Sequence, residues 1–413
     1  MNKLIEHSEY RAEFTIPSSK SYMQRAVALA ILADGKTVLR NPDFSNDSLA
    51  IIEIARKLGC SVQNSTDRVE IKTFNTITET NLSVGEAGLG LRLFTPVCCL
   101  FGTNITIGGY GTLLKRPMSM MEKPLADLGA KVKTTNGYIP ITISGKLSGG
   151  VTEIDGSESS QFLTGLLTAL PLAEKDSVIM VKNLKSTPYV DMTIEIIKRF
   201  GGEIVNDNYK TFSIKGCQKY HGIDYTVEGD WSSAAGHLIA GAIAGSATIY
   251  GLNPASLQAD KAIITVLMNC GANIEITTEK VRVTRNELMP FTFNATDCPD
   301  LFPVVAALAS QCQGVSIIKG VSRLAHKESN RALAIQEEFA KLGIDIKLDG
   351  DHMIITGGKI LGGRVSSHKD HRMAMALAIA GLTAQNPVQV DDADAVNKSY
   401  PKFWDHFYMS VKK

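Results

Sequence analysis

A repeat of about seventy residues runs through the chain and constrains its fold more than any other feature. Five segments share a helical pattern, then a glycine, then alternating β-type residues, as in RKLGCSVQ and ADLGAKVKTT. Their glycines are Gly59, Gly129, Gly201, Gly271 and Gly343, at steps of 70, 72, 70 and 72 residues. Glycine accepts the positive φ that ends a helix, and the alternation is typical of a half-buried strand. The sequence therefore predicts repeated helix–strand units.

A second set of helices recurs with nearly the same period. These helices are rich in Ala, Leu, Ile and Gly on all sides, which is typical of helices buried inside a domain. Their predicted starts are Ser19, Gly88, Ser159, Ser232, Asp300 and His371, at steps of 69, 71, 73, 68 and 71 residues. Units of this kind fill the chain and predict an α/β fold whose helix N-termini point to a common cleft.

The last repeat has its outer helix, NKSYPKFWDHF, but the chain ends where its strands should follow. The N-terminal segment KLIEHSEYRAEFTI has the pattern of the missing strands. We therefore predict a discontinuous domain of residues 1–19 and 228–413, closed by the N-terminal strands. Residues 20–227 form the second domain, and each domain contains three repeats.

Composition excludes several classes of protein. A hydrophobic content of 44% in 413 residues predicts a globular protein of more than one domain. The 43 Lys+Arg balance the 42 Asp+Glu, which argues against a nucleic-acid or membrane-surface binder. No signal-peptide pattern or long apolar run occurs, and the seven cysteines lack a zinc or disulfide spacing. We expect a cytoplasmic protein that binds neither nucleic acid nor membrane.

Cofactor motifs are missing as well. GEAGLG does not have the G-x-G-x-x-G order of a dinucleotide site, and no G-x-x-x-x-G-K-[ST] loop occurs. His368 and His371 are three residues apart but lack a carboxylate-rich shell in the sequence. The sequence therefore predicts neither a metal nor a redox cofactor.

Polar residues gather where the buried helices begin. The starts read Ser-Lys-Ser, Gly-x-Gly-x-Arg, Ser-Ser-Gln, Ser-Ser, Pro-Asp and Asp-His-Arg. Free backbone N–H groups at a helix N-terminus bind anions, and added hydroxyls and cations suit phosphate and carboxylate groups. Lys327 and Arg331 are four apart and share a face if HKESNR is helical, where a bound polyanion relieves their repulsion. Ordinary N-capping and a solvated face are the alternatives.

Ten motifs in order give the chain a family resemblance along its whole length. They are PSSKSYMQR, GEAGLGLR, KRP, SSQFLTGLL, KSTPYVD, EGDWSSAA, PDLFP, HKESNR, KDHRMAM and NKSYPKF. In these motifs the chain resembles the 5-enolpyruvylshikimate-3-phosphate synthase family. The resemblance implies a two-domain inside-out α/β barrel with six βαβαββ-type repeats. It also implies transfer of an enolpyruvyl group from phosphoenolpyruvate to shikimate 3-phosphate by a monomer that uses no metal or organic cofactor.

The resemblance also assigns roles to individual residues. Shikimate 3-phosphate is expected to bind Lys20, Ser21, Arg25, Ser159, Ser160, Gln161, Ser186, Tyr189, Asp300 and Lys327. Phosphoenolpyruvate is expected to bind Lys20, Gly88, Arg116, Gln161, Arg331, Arg372 and Lys398. Asp300 matches the carboxylate that takes the proton of the attacking 5-hydroxyl. Glu328 and Lys20 both match groups that handle the proton at the phosphoenolpyruvate methylene, and the sequence does not choose between them.

The chain departs from the family pattern at three positions. Glu86 stands where the family usually has Asn, Leu89 where it has Thr, and Arg323 where an Asn is common. The first two changes predict weaker inhibition by glyphosate, a phosphoenolpyruvate analogue. A related transferase that acts on UDP-N-acetylglucosamine is the alternative enzyme, but its catalytic Cys corresponds to Gly111 here. A six-unit scaffold without catalysis is the alternative from another class.

Overall fold

The computed structural model describes residues 1–74 and 76–412. The helices are α1 (Lys20–Leu32), α2 (Asn46–Lys57), α3 (Gly88–Cys98), α4 (Glu122–Asp127), α5 (Gln161–Ala169), α6 (Thr187–Arg199), α7 (Trp231–Ala244), α8 (Ile263–Asn269), α9 (Phe302–Ala309), α10 (Arg331–Lys341), α11 (His371–Gly381) and α12 (Phe403–Ser410). The strands are β1 (Lys3–Ile5), β2 (Glu9–Thr15), β3 (Ala33–Asp34), β4 (Lys36–Arg40), β5 (Cys60–Asn64), β6 (Arg68–Thr73), β7 (Asn81–Ser83), β8 (Ile105–Gly108), β9 (Ala130–Thr135), β10 (Tyr138–Gly145), β11 (Val151–Asp155), β12 (Ser177–Lys182), β13 (Val205–Asp207), β14 (Thr211–Ile214), β15 (Tyr220–His221), β16 (Asp224–Thr226), β17 (Gly245–Tyr250), β18 (Asn273–Ile276), β19 (Lys280–Thr284), β20 (Thr292–Asn294), β21 (Val315–Lys319), β22 (Asp345–Asp349), β23 (His352–Thr356), β24 (Gly363–Ser366), β25 (Val388–Asp391) and β26 (Val411–Lys412).

The chain divides into two compact units. The discontinuous unit comprises Met1–Pro17 and Glu228–Lys413, and the continuous unit comprises Ser18–Val227. Strand β1 pairs antiparallel with β25, and β2 pairs parallel with β17. Both N-terminal strands therefore pair with strands of the C-terminal half. The assignment of both strands to the last repeat is wrong. Strand β1 pairs with β25, but β2 lies in another sheet, between β17 and β26.

The sheets of the continuous unit share one topology. Their strand orders are β16-β4-β6-β5, β7-β8-β10-β9 and β11-β12-β14-β13, beside a two-stranded β15–β3 sheet. In each four-stranded sheet the first pair is parallel and the others are antiparallel. Parallel neighbours need a crossover connection, which the buried helices α3 and α5 supply in the second and third sheets.

The discontinuous unit uses the same arrangement with variations. The sheet β20-β21-β23-β22 repeats the order and directions seen in the continuous unit. The sheet β18-β19-β17-β2-β26 gains a fifth strand at its edge, and β1-β25-β24 is a three-stranded version. The α/β prediction is confirmed. Among residues 1–74 and 76–412, no helix combines the length and the apolar character needed to cross a bilayer.

The outer helices end at glycines, as the repeat predicts. Helices α2, α4, α6, α8 and α10 each stop two residues before a glycine. These are Gly59, Gly129, Gly201, Gly271 and Gly343, with φ of 89°, 98°, 93°, 80° and 87°. This conformation is unfavourable for a residue with a Cβ, so the glycines set the point at which each chain segment leaves its helix.

The inner helices are almost entirely buried. All residues of α9 and α11 are buried, and only Ser232 in α7 is not. Helix α5 approaches α3 so closely that a Cβ on Gly165 would lie 2.4 Å from the carbonyl oxygen of Arg92. Four predicted starts need correction, because α1, α5, α7 and α9 begin at Lys20, Gln161, Trp231 and Phe302.

Candidate active site

Arg331 is the centre of a charged cluster in the discontinuous unit. Its side chain is 1% exposed at the first residue of α10. Its Nη1 donates to Asp300 at 2.7 Å, its Nη2 to Glu328 at 2.7 Å and its Nε to Asp370 at 2.8 Å. Removing one partner of a buried ion pair typically costs about 3–5 kcal/mol. One guanidinium therefore fixes three carboxylates carried by three different segments.

Three more cations border the same carboxylates. Lys327 Nζ lies 3.8 Å and Arg372 Nη2 3.7 Å from the Asp300 carboxylate. Lys398 Nζ lies 4.0 Å from Glu328 Oε1. Asp300 itself stays 31% exposed, so the most accessible carboxylate of the cluster is surrounded by cations. This arrangement can receive an anionic ligand and accept a proton from it.

Electrostatics keep Asp300 ionised. Burial by itself would raise the pKa of Asp300, but Lys327, Arg331 and Arg372 hold that pKa well below its ordinary value. Burial lowers the pKa of Lys327 to about 8, although Asp300 acts in the opposite direction. At neutral pH Asp300 is therefore a carboxylate that can accept a proton.

Two acidic members of this cluster are absent from the sequence predictions. Asp370 caps α11 by accepting from the N–H of Arg372 at 2.9 Å. Asp260 accepts from the hydroxyl of Ser232, and burial followed by the charge of Asp300 raises its pKa to about 6. Asp370 carried a sequence signal, since Asp before a helix start is a common cap. Asp260 lies in a single short turn and carried none.

The local structure around Lys327 differs from the prediction. Lys327 lies in a turn, because α10 begins only at Arg331, where the side chain of Asn330 accepts from the N–H of Leu333. The argument from two cations on one helix face is therefore wrong. The two side chains still contact the same carboxylate, that of Asp300.

In the continuous unit, the first inner helix carries two predicted cations. Lys20 donates to Asp47 on α2 at 2.9 Å, a partner that the sequence pattern does not predict. Arg25 is 2% exposed and donates to the carbonyl oxygens of Ser21 at 2.8 Å and Tyr189 at 3.2 Å. Burial lowers the pKa of Arg25 to about 10, so it remains charged at neutral pH.

A second group forms at the N-terminus of α3. Gly88 is the first residue of this helix, and a Cβ there would lie 2.4 Å from Nη1 of Arg116 and 3.4 Å from Nη1 of Arg92. Arg92 also donates to Gln161 at 3.0 Å. The absence of a side chain at Gly88 thus lets two guanidinium groups approach the free N–H groups of a helix start, a strongly anion-attracting arrangement.

The predicted serines lie at two other helix starts of this unit. Ser159 accepts from the N–H of Gln161 at 3.2 Å, and Ser160 is the residue before α5. Ser186 precedes α6 with φ of 59°, a left-handed conformation uncommon for serine. Tyr189 lies in the first turn of α6. Helices α5 and α6 both connect strands of the sheet β11-β12-β14-β13, so these hydroxyls and helix N-termini belong to one repeat.

The residues that depart from the family pattern have identifiable contacts. Glu86 accepts from the N–H of Thr112 at 2.9 Å and from its hydroxyl at 2.8 Å. A Cβ on Gly111 would lie 2.3 Å from the Glu86 carboxyl carbon, so glycine leaves room for this carboxylate. Arg323 donates to the carbonyl oxygen of Thr296 at 3.3 Å.

Taken unit by unit, the structure assembles most of the predicted residues into clusters. The discontinuous unit brings together Asp300, Lys327, Glu328, Arg331, Arg372 and Lys398. The continuous unit groups Gly88 and Arg116 with Arg92 and Gln161, and Arg25 with Ser21 and Tyr189. Lys20 is paired with Asp47.

Two α/β units with cations and hydroxyls at buried helix starts are typical of an enzyme that binds anionic small molecules. A family model described as EPSP synthase (3-phosphoshikimate 1-carboxyvinyltransferase) matches residues 6–407. The chain therefore belongs to the EPSP synthase family.

Relatives agree with this membership, and a solved structure has a similar fold. A 3-phosphoshikimate 1-carboxyvinyltransferase of Clostridium novyi (strain NT) is 38% identical, over 98% of this chain and 96% of that protein. One of Clostridium perfringens is 37% identical, over 98% of this chain and 97% of the other. The fold is similar to EPSP synthase from Acinetobacter baumannii, with a TM-score of 0.83 and 24% identity over 99% of this chain and 98% of that chain. The family resemblance is confirmed, and the UDP-sugar alternative is not favoured.

Proposed function

We propose that this protein transfers the enolpyruvyl group of phosphoenolpyruvate to the 5-hydroxyl of shikimate 3-phosphate and releases phosphate. The reaction belongs to aromatic amino acid biosynthesis through chorismate. Family membership supports the reaction class, and the relatives are named for this activity. The observation that carries the proposal is an ionised Asp300 bordered by Lys327, Arg331 and Arg372.

The finer architecture is part of the proposal. We infer two domains of three βαβαββ-type repeats each, with residues 1–19 and 228–413 in one domain and 20–227 in the other, forming an inside-out α/β barrel. The shared strand order of the four-stranded sheets supports the repeats. The three-stranded sheet that contains β1 is the repeat that the N-terminal segment completes.

The substrate-binding assignment follows the clusters. For shikimate 3-phosphate we propose Lys20, Ser21, Arg25, Ser159, Ser160, Gln161, Ser186, Tyr189, Asp300 and Lys327. For phosphoenolpyruvate we propose Lys20, Gly88, Arg116, Gln161, Arg331, Arg372 and Lys398. Hydroxyls and helix N-termini suit a phosphate ester, and guanidinium groups suit bidentate binding of carboxylate or phosphate.

The chemistry has two stages. The 5-hydroxyl oxygen bonds to C2 of phosphoenolpyruvate while Asp300 takes the hydroxyl proton, and the C3 methylene gains a proton to become a methyl group. The C2–O bond to phosphate then breaks and the methyl group loses a proton, which restores the double bond. General acid–base groups typically contribute about 10²–10⁴-fold each.

Binding of the substrates tunes Asp300 for this role. Its low pKa makes it a weak base while three cations face it. Phosphate and carboxylate groups of the substrates bind the same cations and weaken their effect on Asp300. The pKa of Asp300 then rises, which strengthens it as a base when both substrates are present.

Two residues remain candidates for the proton at the methylene. Glu328 accepts a hydrogen bond from Arg331 at 2.7 Å, and Lys20 donates one to Asp47 at 2.9 Å. Incorporation of deuterium from heavy water into the methylene of phosphoenolpyruvate separates them. We expect the variant of the true donor, Lys20→Met or Glu328→Gln, to lose incorporation more strongly than the other variant.

Phosphate release tests the proposed activity directly. The wild type should release phosphate from phosphoenolpyruvate only when shikimate 3-phosphate is present. Asp300→Asn and Asp300→Ala should lower kcat by about 10²–10⁴-fold because no carboxylate accepts the hydroxyl proton. Asp297→Asn is a matched control, since it makes the same change on an exposed side chain three residues away. Equal release by the wild type and Asp300→Ala would reject the role of Asp300.

Three further properties belong to the proposal. Cytoplasmic location is supported by seven free thiols, six of them buried. A monomer is expected and is measured by light scattering. Activity without a metal is measured in the presence of EDTA. The carboxylates of Glu328 and Asp370 lie with His371 in a cluster of metal-ligand type, but Arg331 already binds both carboxylates.

A further inference from the structure

The buried carboxylate of Glu338 on α10 lies outside the cluster around Arg331. The side chain of Glu338 is fully buried and accepts three hydrogen bonds. The donors are the N–H of Ser366 at 2.9 Å, Nζ of Lys341 at 2.8 Å and Nε2 of His368, which lies 2.6 Å away. A buried carboxylate is retained only when such partners compensate its lost hydration.

Of these partners, Ser366 is the last residue of β24 and His368 lies in the loop that leads from β24 into α11. After Ser366 ends β24, His368 and Lys369 both adopt left-handed conformations, with φ of 52° and 57°. Such consecutive conformations are sparsely populated for residues with a Cβ and persist only where the surroundings enforce them. The next residues are Asp370, which caps α11, and Arg372 in its first turn.

The loop is held from two sides. Ser367 donates its hydroxyl to the carbonyl oxygen of Asp392 and its N–H to that of Asp391, next to β25. Glu338 holds the opposite side, toward α10. These contacts attach the loop both to the end of β25 and to α10.

Helix α10 therefore contacts the start of α11 at two levels. Arg331 binds Asp370 at the N-terminus of α10. Glu338 lies seven residues further along, roughly 10 Å at 1.5 Å per residue, and binds the loop that precedes Asp370. Contacts at two points along α10 fix the orientation of the start of α11. The ion pair between Arg331 and Asp370 alone would not fix this orientation.

We propose that Glu338 is a positioning residue that sets the place of Arg372 for phosphoenolpyruvate. The inference rests on the proposed function for its substrate. Glu338 acts through Ser366 and His368 and does not touch the reacting atoms. Loosening the loop displaces the Arg372 guanidinium, whereas eight of the ten residues proposed for shikimate 3-phosphate, all except Asp300 and Lys327, lie in the other unit.

Steady-state kinetics test this with Glu338→Gln and a matched control, Glu337→Gln. Glu337 is the preceding residue on α10 and bonds Lys341 but not the loop. We expect Glu338→Gln to raise KM for phosphoenolpyruvate about tenfold or more, because a displacement of about 1 Å can cost up to about 10²-fold. KM for shikimate 3-phosphate should change by less than about twofold, and Glu337→Gln should match the wild type. Equal increases in both KM values, or no increase, overturn the proposal.

A second measurement does not depend on the activity. Amide hydrogen exchange without substrates should be faster at 366–372 in Glu338→Gln and in His368→Ala than in the wild type, with no change in the Glu337→Gln control. Unchanged exchange at 366–372 in both variants overturns the positioning role. A wild type without phosphate release would reject the proposed function alone, since exchange still decides whether Glu338 holds the loop.

Discussion

Replacement of Gly88 by alanine should weaken binding of phosphoenolpyruvate without lowering the stability of the fold. The new Cβ would lie 2.4 Å from Nη1 of Arg116, whereas ordinary contacts begin at 3.4 Å, so the guanidinium must move by 3.4 − 2.4 = 1.0 Å or more. Arg116 is 5% exposed and has a flexible side chain, so the shift alters its position without opening the core. A hydrogen bond to a charged group contributes about 1.5–3 kcal/mol. Losing one corresponds to about a 10- to 150-fold higher KM for phosphoenolpyruvate.

The assay combines steady-state kinetics with thermal unfolding. Because Gly88 has no left-handed φ and alanine is about 1 kcal/mol more favourable in a helix, the melting temperature of Gly88→Ala should stay or rise. Gly358→Ala is the control, since its Cβ meets nothing closer than 3.8 Å. An unchanged KM for phosphoenolpyruvate in a folded Gly88→Ala variant would refute the placement of Arg116 at this substrate.

Further predictions concern pH and specificity. Burial lowers the pKa of His237 from 6.5 to about 3, so the free energy of unfolding should fall by up to about 5 kcal/mol as pH drops from 6.5 to 3. The free energy measured by urea unfolding of His237→Gln should lack this pH dependence. The pKa of Asp260 is raised from 3.8 to about 6, so its contribution to the free energy of unfolding has the opposite sign. Up to about 3 kcal/mol of stability is present below pH 3.8 and is lost as pH rises through 6. Asp260→Asn should remove that loss in the same urea titration. Glu86→Asn combined with Leu89→Thr should lower the inhibition constant of glyphosate; an unchanged constant rejects the specificity argument.

The repeat and the helix stops were predictable because they depend on neighbours in sequence. Gly59 and Gly343 have the positive φ that their position after an apolar helix indicates. The burial of α9 and α11 follows from helices that are apolar on all sides. Local spacing carries this information, so periodicity alone predicted the α/β class.

The partners of the charged residues were decided by tertiary structure. Arg331 contacts Asp300 across 31 residues and Asp370 across 39, and no local pattern specifies these pairs. Lys327 reaches Asp300 from a turn and not from a helix. Sequence determined which residue types stand at each helix start. Only folding decided which of them meet, because burial strengthens the ion pairs between segments brought together from far apart in the chain.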